Sequence, residues 1–537
     1  MKKNATAILK RYQKANSIKT SWNTEYEKIF DYCMPSRNRW DKTSGSGEGS
    51  ISPYFQDRRE NLYSSIGEQS ANDFVNTMQE VLAPPLSPWI NLEAGVNFPE
   101  SERAAVNKEL DKIASRANEY KNNSSFDAAF SEFCYDLFAG TACMLVLPNT
   151  PRKPLTYKAI PLDEYAIEEG VNGEVRAVYR KYSMKRELLG AQWHELKKLE
   201  FTEEQGDKEM NIVESTYYDY DLEVWHYQVI NSDENVELLA REYKTSPFIV
   251  LRWNKCAGEP YGRGPGLTAL NDIKTLNLIK FYSLRNFAFQ LPSFLVEEEM
   301  MLNADSFDPT PLTLNPVPNT DTSIKPLQLS SDFNAESYKT SELAQEIKKA
   351  TYSSTLPNAG NEVRTATEIR QLLTEIRKSL NSVFGRLLSE FQIPLVTRTL
   401  DVLSDTDIFG EEFKERFDVN NIDGLKYKVN IITPIGKILR HSEAQAILSV
   451  ATILMEIDPT GVVANKVLKV NELLEEYVKL EGIPDRFINS QEEIEQIEQQ
   501  QAQGEQAAQQ EAVNMDVLAS NEKEMGKAVA KEAASGI

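Results

Sequence analysis

The sequence predicts a mainly α-helical protein with an antiparallel α+β region set into it. Two observations lead there. Long stretches carry apolar residues at helical spacing, notably 58–82 and 265–290. Between 155 and 253 short runs of strand-forming residues instead alternate with turn signals, as in "EEGVNGEVRAVYRKYSM". At 537 residues the chain exceeds one ordinary domain, and about three domains are expected.

Residues 1–34 read as a helix that ends at Pro35, and 36–57 as a polar Gly/Ser loop. Residues 58–82 carry the stripe Ile66, Ala71, Phe74, Val75, Met78, Val81 and Leu82. "APPLSPW" stops that helix, because proline has no N–H to donate and its ring blocks the preceding turn. A second helix covers about 101–121, and a third, beginning "FDAAF", runs into Gly140 and then an apolar strand. Residues 265–290 read as one helix, with Leu270, Ile273, Leu276, Leu284 and Phe287 on one side. Thr268, Asn271, Lys274, Thr275, Tyr282, Arg285 and Asn286 take the other side. Residues 291–330, with "DPTPLTLNPVPNT", form a small strand-and-loop insert. A further helix spans about 333–351, and the loop "YSSTLPNAGNEVRT" follows. Residues 365–404 then form a very long helix, capped by Thr365 or Thr367 with Glu368 early and kinked at Pro394. Residues 437–480 are helical again. From about 490 the chain is Gln/Glu/Ala-rich and fits either a helix or a disordered tail.

The net charge is −22. Such a chain is poorly suited to gripping nucleic acid, since that affinity comes from neutralising phosphates with Lys and Arg. It can still surround DNA without holding it. Cys33, Cys134, Cys143 and Cys256 show no C-x-x-C spacing, which suits a reducing cytosol. The basic N-terminus lacks the apolar core of a signal peptide, and no run of about 18 apolar residues predicts a membrane span.

The stretch "EPYGRGPGLTALNDIKTLN" at 259–277 carries Gly262, Gly264 and Gly266 ahead of a helix. Bare N–H groups at such a helix start can cradle a phosphate. Here Pro265 removes one of them, a long irregular stretch separates the preceding strand from Gly264, and no strand ending in Asp or Glu follows at the spacing a dinucleotide site needs. Pro265 fits the first helical position instead, with Gly264 as the cap.

His194, His226 and His441 are far apart and in no metal-binding spacing. "PIGKIL" lacks the upstream Gly and the Ser/Thr of a P-loop, and "SGSGEG" contains no G-x-S-x-G. Carboxylate runs such as "VEEEMM" and "QEEIEQIE" read as solvated charge. No catalytic, metal or cofactor residue emerges, which favours a structural or interaction role over an enzyme.

Five stretches occur in an order that resembles the portal, or head-to-tail connector, proteins of short-tailed bacteriophages. They are "RRENLYSSIGEQSANDFVNTMQEVLAPPLSPWINL", "FCYDLFAGTACMLV", "IPLDEYAIEEGVNGEVRAVYRKYSM", "RWNKCAGEPYGRGPGLTALNDIKTLN" and "RTATEIRQLLTEIRKSLNSVFGRLLSEFQIPLV". The resemblance covers about 10–480 and implies a portal fold that closes into a ring of about twelve copies. It implies a wing at 1–262, a first stem helix at 263–290, a clip at 291–330, a second stem helix at 331–351 and a tunnel loop at 352–364. A long wing helix with strands at 365–436, a crown at 437–484 and a C-terminal barrel or tail at 485–537 complete the order.

By the same resemblance the ring sits at one capsid vertex and passes double-stranded DNA during packaging and ejection, having assembled in the host cytoplasm. Its partners would be itself, the major capsid protein, the terminase large subunit, a tail adaptor and internal core proteins, with no stable membrane contact. Asn271, Lys274, Thr275 and Arg285 are the candidate channel residues, the alternatives being an outward face or the contact between subunits. Leu356, Pro357, Asn358, Asn361 and Arg364 are candidates for a loop reaching into the bore, or for a plain interhelical connection. Glu297, Glu298, Glu299, Pro311 and Pro316 are candidates for docking a packaging motor. Two other classes stay open: a different head-tail adaptor ring, and a nucleic-acid enzyme.

Overall fold

The fold is described from a computed structural model. It describes residues 2–40, 61–85, 88–94, 100–150, 153–198, 206–290, 294–297, 314–317, 333–353, 383–406, 408–409, 427–431 and 526–527. The chain divides into two units, Met1–Val96 with Lys112–Arg440, and Asn97–Asp111 with His441–Ile537. The account below concerns the first. Residues 354–382, the 437–484 segment and nearly all of 485–537 lie outside the described residues, as do Glu298, Glu299 and Pro311.

Among the described residues the helices of more than ten residues are α1 (Lys2–Cys33), α2 (Ile66–Leu82), α3 (Glu100–Asn122), α4 (Phe126–Ala139), α5 (Pro265–Gln290), α6 (Phe333–Ala350) and α7 (Ile393–Asp405). None of the described helices is long and apolar enough to cross a membrane. Five strands form an antiparallel meander in sequence order: β4 (Tyr165–Glu169), β5 (Val175–Lys185), β6 (Glu209–Asp219), β7 (Val224–Asn231) and β8 (Val236–Tyr243). A second antiparallel sheet has β2 (Thr141–Thr150) between β3 (Lys153–Ile160) and β9 (Phe248–Arg252). Two pairs stand apart: β1 (Ile90–Ala94) antiparallel to β12 (Tyr427–Ile431), and β10 (Phe294–Glu297) parallel to β11 (Leu314–Val317).

The core of this unit centres on α4 and β2. Phe126, Phe130, Phe133, Cys134, Leu137 and Phe138 are all buried. Their spacing wraps most of the helix circumference, so α4 needs cover on several sides. α2 and the β2 sheet supply part of it: Phe74 lies 5.5 Å from Phe138 between ring centroids, and Phe126 lies 5.1 Å from Tyr157 of β3. All five residues of β9 are buried, which is why they read as an unbroken apolar run with one arginine.

Two boundaries differ from the sequence reading. The helix expected over 58–82 starts at Ile66. The N–H groups of Tyr63 and Ser64 donate instead to Asn277 Oδ1 at 2.7 and 3.1 Å, while Asn277 Nδ2 donates to Asn61 O at 3.1 Å. A tertiary partner thus takes the backbone donors that a longer helix would use. At Pro394 the chain forms a π-helical segment, Leu387–Gln392, directly before α7. Proline in a regular helix would leave one carbonyl unpaired and clash with it, and a widened turn accommodates that misfit.

Candidate functional site

The glycine-rich stretch is a joint. It crosses the end of α4 at close quarters. Trp253 N–H donates to Gly140 O at 2.9 Å, Gly264 N–H to Ala139 O at 3.1 Å, and Arg263 N–H to Asn254 O at 2.7 Å. Gly262 N–H donates to Thr141 Oγ1 at 2.8 Å, and Tyr26 of α1 donates to Gly262 O at 2.7 Å. A Cβ on Gly264 would sit 2.1 Å from Phe138 O. Gly140, at φ 147°, adopts a backbone that other residues rarely take, and a Cβ there would sit 2.2 Å from Gly262 O. The N–H groups of Gly262 and Gly264 are therefore spent inside the protein, and the phosphate reading fails on geometry. Leu267 and Thr268 N–H close on Gly264 O at 3.1 and 3.3 Å, so Gly264 caps the helix and Pro265 opens it.

Arg252 ties the joint to the segment before α7. It is 1% exposed. Its Nε and Nη2 reach the two carboxylate oxygens of Glu390 at 3.2 and 2.6 Å. Nη1 donates to Glu169 at 3.2 Å, Nη2 also reaches Gly173 O at 2.8 Å, and the Arg252 backbone N–H donates to Glu390 at 3.1 Å. Lys255 completes the group on Glu169. The π turn sets adjacent residues to opposite tasks: Glu390 meets Arg252, while Phe391 stacks on Phe133 and Phe130 at 4.9 and 5.4 Å.

A second buried network crosses the large sheet. Arg180 donates to Glu164 at 2.8 and 3.0 Å, and Arg39 reaches the other Glu164 oxygen at 2.8 Å. Burial opposes the charge on Glu164, but Arg180 and Arg39 outweigh it and hold the carboxyl below its usual range. Glu214 is fully buried and accepts from Tyr182 Oη at 2.5 Å. Burial pushes the Glu214 carboxyl up, against the pull of Arg180.

From this anchored joint α5 runs for 26 residues. Leu270, Ile273 and Leu276 are buried, as expected. Leu284, on the same stripe two turns later, is 57% exposed in the single chain. Asn271, Thr275 and Arg285 are exposed and fall with Leu278 and Tyr282 on one stripe at three- and four-residue steps. Leu278 and Tyr282 are 51% and 54% exposed. Lys274, three residues after Asn271 and four before Leu278, sits half-buried at the edge of that stripe, its ammonium 5.4 Å from the Tyr32 ring of α1. Glu297 and Pro316 fall in β10 and β11. Leu356, Pro357, Asn358, Asn361 and Arg364 lie outside the described residues.

Sequence reasoning missed Arg252, Glu390, Arg180 and Glu214. The only signals were single charges inside apolar runs, "FIVLRW" and "LLSEFQI". Among the described residues no three His, Cys, Asp or Glu side chains are placed to hold a metal ion.

Sequence comparison identifies the class of protein this fold serves: the profile of the bacteriophage head to tail connecting protein family matches residues 5–488. The chain belongs to that family. It is 22% identical over 557 aligned positions to the probable portal protein of Bordetella phage BPP-1, covering 94% of this chain and 92% of that one. It is 20% identical to the portal proteins of Enterobacteria phage T3 and Escherichia phage T7, covering 77% of this chain and 77% of each.

Proposed function

We propose that this chain is the portal of a short-tailed phage particle: a ring of about twelve copies at one capsid vertex, through which double-stranded DNA is packaged and ejected. The family match over 5–488 carries the reading. The geometry of α5 supports it. A helix of 26 residues is about 39 Å long. Twelve such helices about 10 Å apart give a ring of roughly 120 Å circumference and a bore of roughly 25–30 Å, wide enough for a duplex. Leu278, Tyr282 and Leu284 are apolar surface on a helix that a neighbouring copy would cover.

In this arrangement Asn271, Thr275 and Arg285 line the bore or its subunit seams, with Lys274 held back against α1. Contacts to passing phosphates are weak and read no base. Twelve chains carry a charge on the order of −260, from −22 each, and an acidic conduit lets DNA slide. The 291–330 insert, with Glu297, Glu298, Glu299, Pro311 and Pro316, docks the terminase during packaging and the tail adaptor afterwards. Residues 352–364 reach into the bore, and the wing meets the major capsid protein. Energy for packaging comes from the separate motor, this chain hydrolysing no ATP.

Native mass spectrometry and negative-stain microscopy of the purified protein test the proposal. Closed rings of about twelve copies are expected. A protein that stays monomeric at micromolar concentration across all salt conditions refutes it.

A further inference from the structure

We propose that the end of α6 is a two-state stop, held by the contact of Tyr352 with Trp253, through which the glycine joint sets the direction in which the chain leaves that helix. Among the described residues other than glycine, Glu223, Asn235 and Tyr352 have positive φ. Glu223 and Asn235 lie in the turns between β6 and β7 and between β7 and β8. Tyr352, at φ 60°, follows the last turn of α6. A left-handed backbone disfavours an ordinary residue about five- to thirtyfold against a right-handed one, because Cβ crowds the following carbonyl. Glycine is the usual residue at this place in a helix end.

The hydrogen bonds identify the turn. Ser353 N–H donates to Lys348 O at 2.9 Å, and Tyr352 N–H donates to Lys349 O at 3.3 Å. This crossed pair of bonds closes a helix on a left-handed residue. With Tyr352 right-handed, its N–H would meet Lys348 O, and Ser353 N–H would meet Lys349 O, the ordinary four-residue step of a helix that continues. The two carbonyls exchange donors and neither is left bare. Backbone hydrogen bonding therefore does not choose between stopping and continuing. Thr351 Oγ1 donates to Ile347 O at 2.7 Å, a bond along the helix that both states keep.

Side chains make the choice. The Tyr352 ring meets Trp253 edge-on, at 5.6 Å between centroids and 66° between planes. Ser353 Oγ donates to Lys348 O at 3.1 Å, a reach of five residues that only the bent end allows. An aromatic pair of this kind favours its contact about two- to tenfold, the same order as the backbone penalty it opposes. Trp253 is 3% exposed, packs on Phe74 of α2 at 5.2 Å, and donates its backbone N–H to Gly140 O at 2.9 Å. A displacement at the joint thus reaches Tyr352, and a flip of Tyr352 redirects the chain at Ser353. What that direction serves rests on the portal reading, in which residues 352–364 reach into the bore. The stop itself is a property of one protomer.

The test compares Tyr352→Phe, Tyr352→Ala and Tyr352→Gly in the full-length protein, at a half-buried position where all three should fold. Hydrogen-exchange mass spectrometry reads the protection of the amides at 351–353, with the α2 amides as an unchanged control. A structure of the Ala variant reads the backbone at 352. The Phe variant keeps the ring and should match wild type. The Ala variant keeps the backbone penalty and loses the ring, so its amides should lose about tenfold in protection, with α6 continuing through Ser353. The Gly variant loses the ring and the penalty together, and should stay within about threefold of wild type. Equal protection in the Ala and Gly variants, loss in the Phe variant, or a positive φ at 352 in the Ala structure overturns the proposal. None of these readouts needs a ring. A protein that stays monomeric refutes the portal reading and leaves the stop intact, whereas closed rings with equal Ala and Gly protection refute the stop alone.

Discussion

Arg252 illustrates why the buried charges of this protein matter more than its surface ones. Five of its hydrogen bonds go to Glu390, Glu169, Gly173 and Pro260, and the residue is 1% exposed. Removing the guanidinium alone strands Glu390 in a low-dielectric site. Arg252→Met should cost about 3–5 kcal/mol in denaturant unfolding. Arg252→Met combined with Glu390→Leu should recover much of that loss, because two apolar groups of similar volume replace the pair. A double variant no better than the single one would show that the anchor acts through geometry instead of charge. Asp136 makes the second residue-level case. Burial, and then the neighbouring Asp163 carboxylate, push its carboxyl up to about 8, against a usual value of 3.8. The Leu162 N–H and then Arg37 and Arg39 pull the other way. Between those two values the folded chain keeps a proton that the unfolded chain has released, so Asp136 makes folding less favourable as pH rises from about 4 to about 8. Asp136→Asn should flatten that part of the stability–pH curve, gaining on wild type steadily toward pH 8 in urea midpoints. Parallel wild-type and variant curves would refute the assignment.

At the scale of elements, the joint between α5 and the rest of its unit depends on hydrogen bonds that local periodicity cannot show. Asn277 holds the backbone of residues 61–64 through three bonds. Asn277→Ala should lose about 1–3 kcal/mol of local stability, seen as faster hydrogen exchange at Tyr63 and Ser64 with the α2 amides unchanged. That contact also explains what was legible in the sequence. α5 was readable because its first residue is proline, its cap is glycine and its apolar residues recur at helical spacing. The stripe of α2 was readable too, but its start was not, since Asn277 lies more than two hundred residues away and competes for the backbone donors. Likewise Pro394 announced an irregularity, and only packing determined its form: Glu390 and Phe391 must face Arg252 and Phe133 respectively, which an ordinary helical turn would space differently. The exclusion of a phosphate loop was legible from Pro265, the long irregular stretch before Gly264 and the absence of a following strand that ends in Asp or Glu. The Arg252 and Glu214 networks were not, because pairing partners so far apart in sequence leave no pattern.

For the whole molecule the governing conflict lies between repulsion and apolar contact. Each protomer carries −22, so copies brought together repel at long range. The proposed ring must gain from short-range burial, and among the described residues of α5 the exposed apolar groups are Leu278, Tyr282 and Leu284. Fully burying a leucine-sized side chain contributes about 1.5–3 kcal/mol. Leu278→Glu with Tyr282→Glu removes that gain and adds two like charges to every seam, while the buried face Leu270, Ile273 and Leu276 is untouched. The variant should therefore fold, with an unchanged circular dichroism spectrum and melting midpoint for the protomer, yet fail to form rings by native mass spectrometry. Salt separates the two forces. It screens charge within about 10 Å at 0.1 M but leaves apolar burial in place, so wild-type rings should become more abundant from low to moderate ionic strength. In the variant the same change should give little, since screening removes an obstacle without restoring an attraction. Rings in the variant equal to wild type would place the subunit contact elsewhere on the chain and leave the α5 stripe to the bore alone.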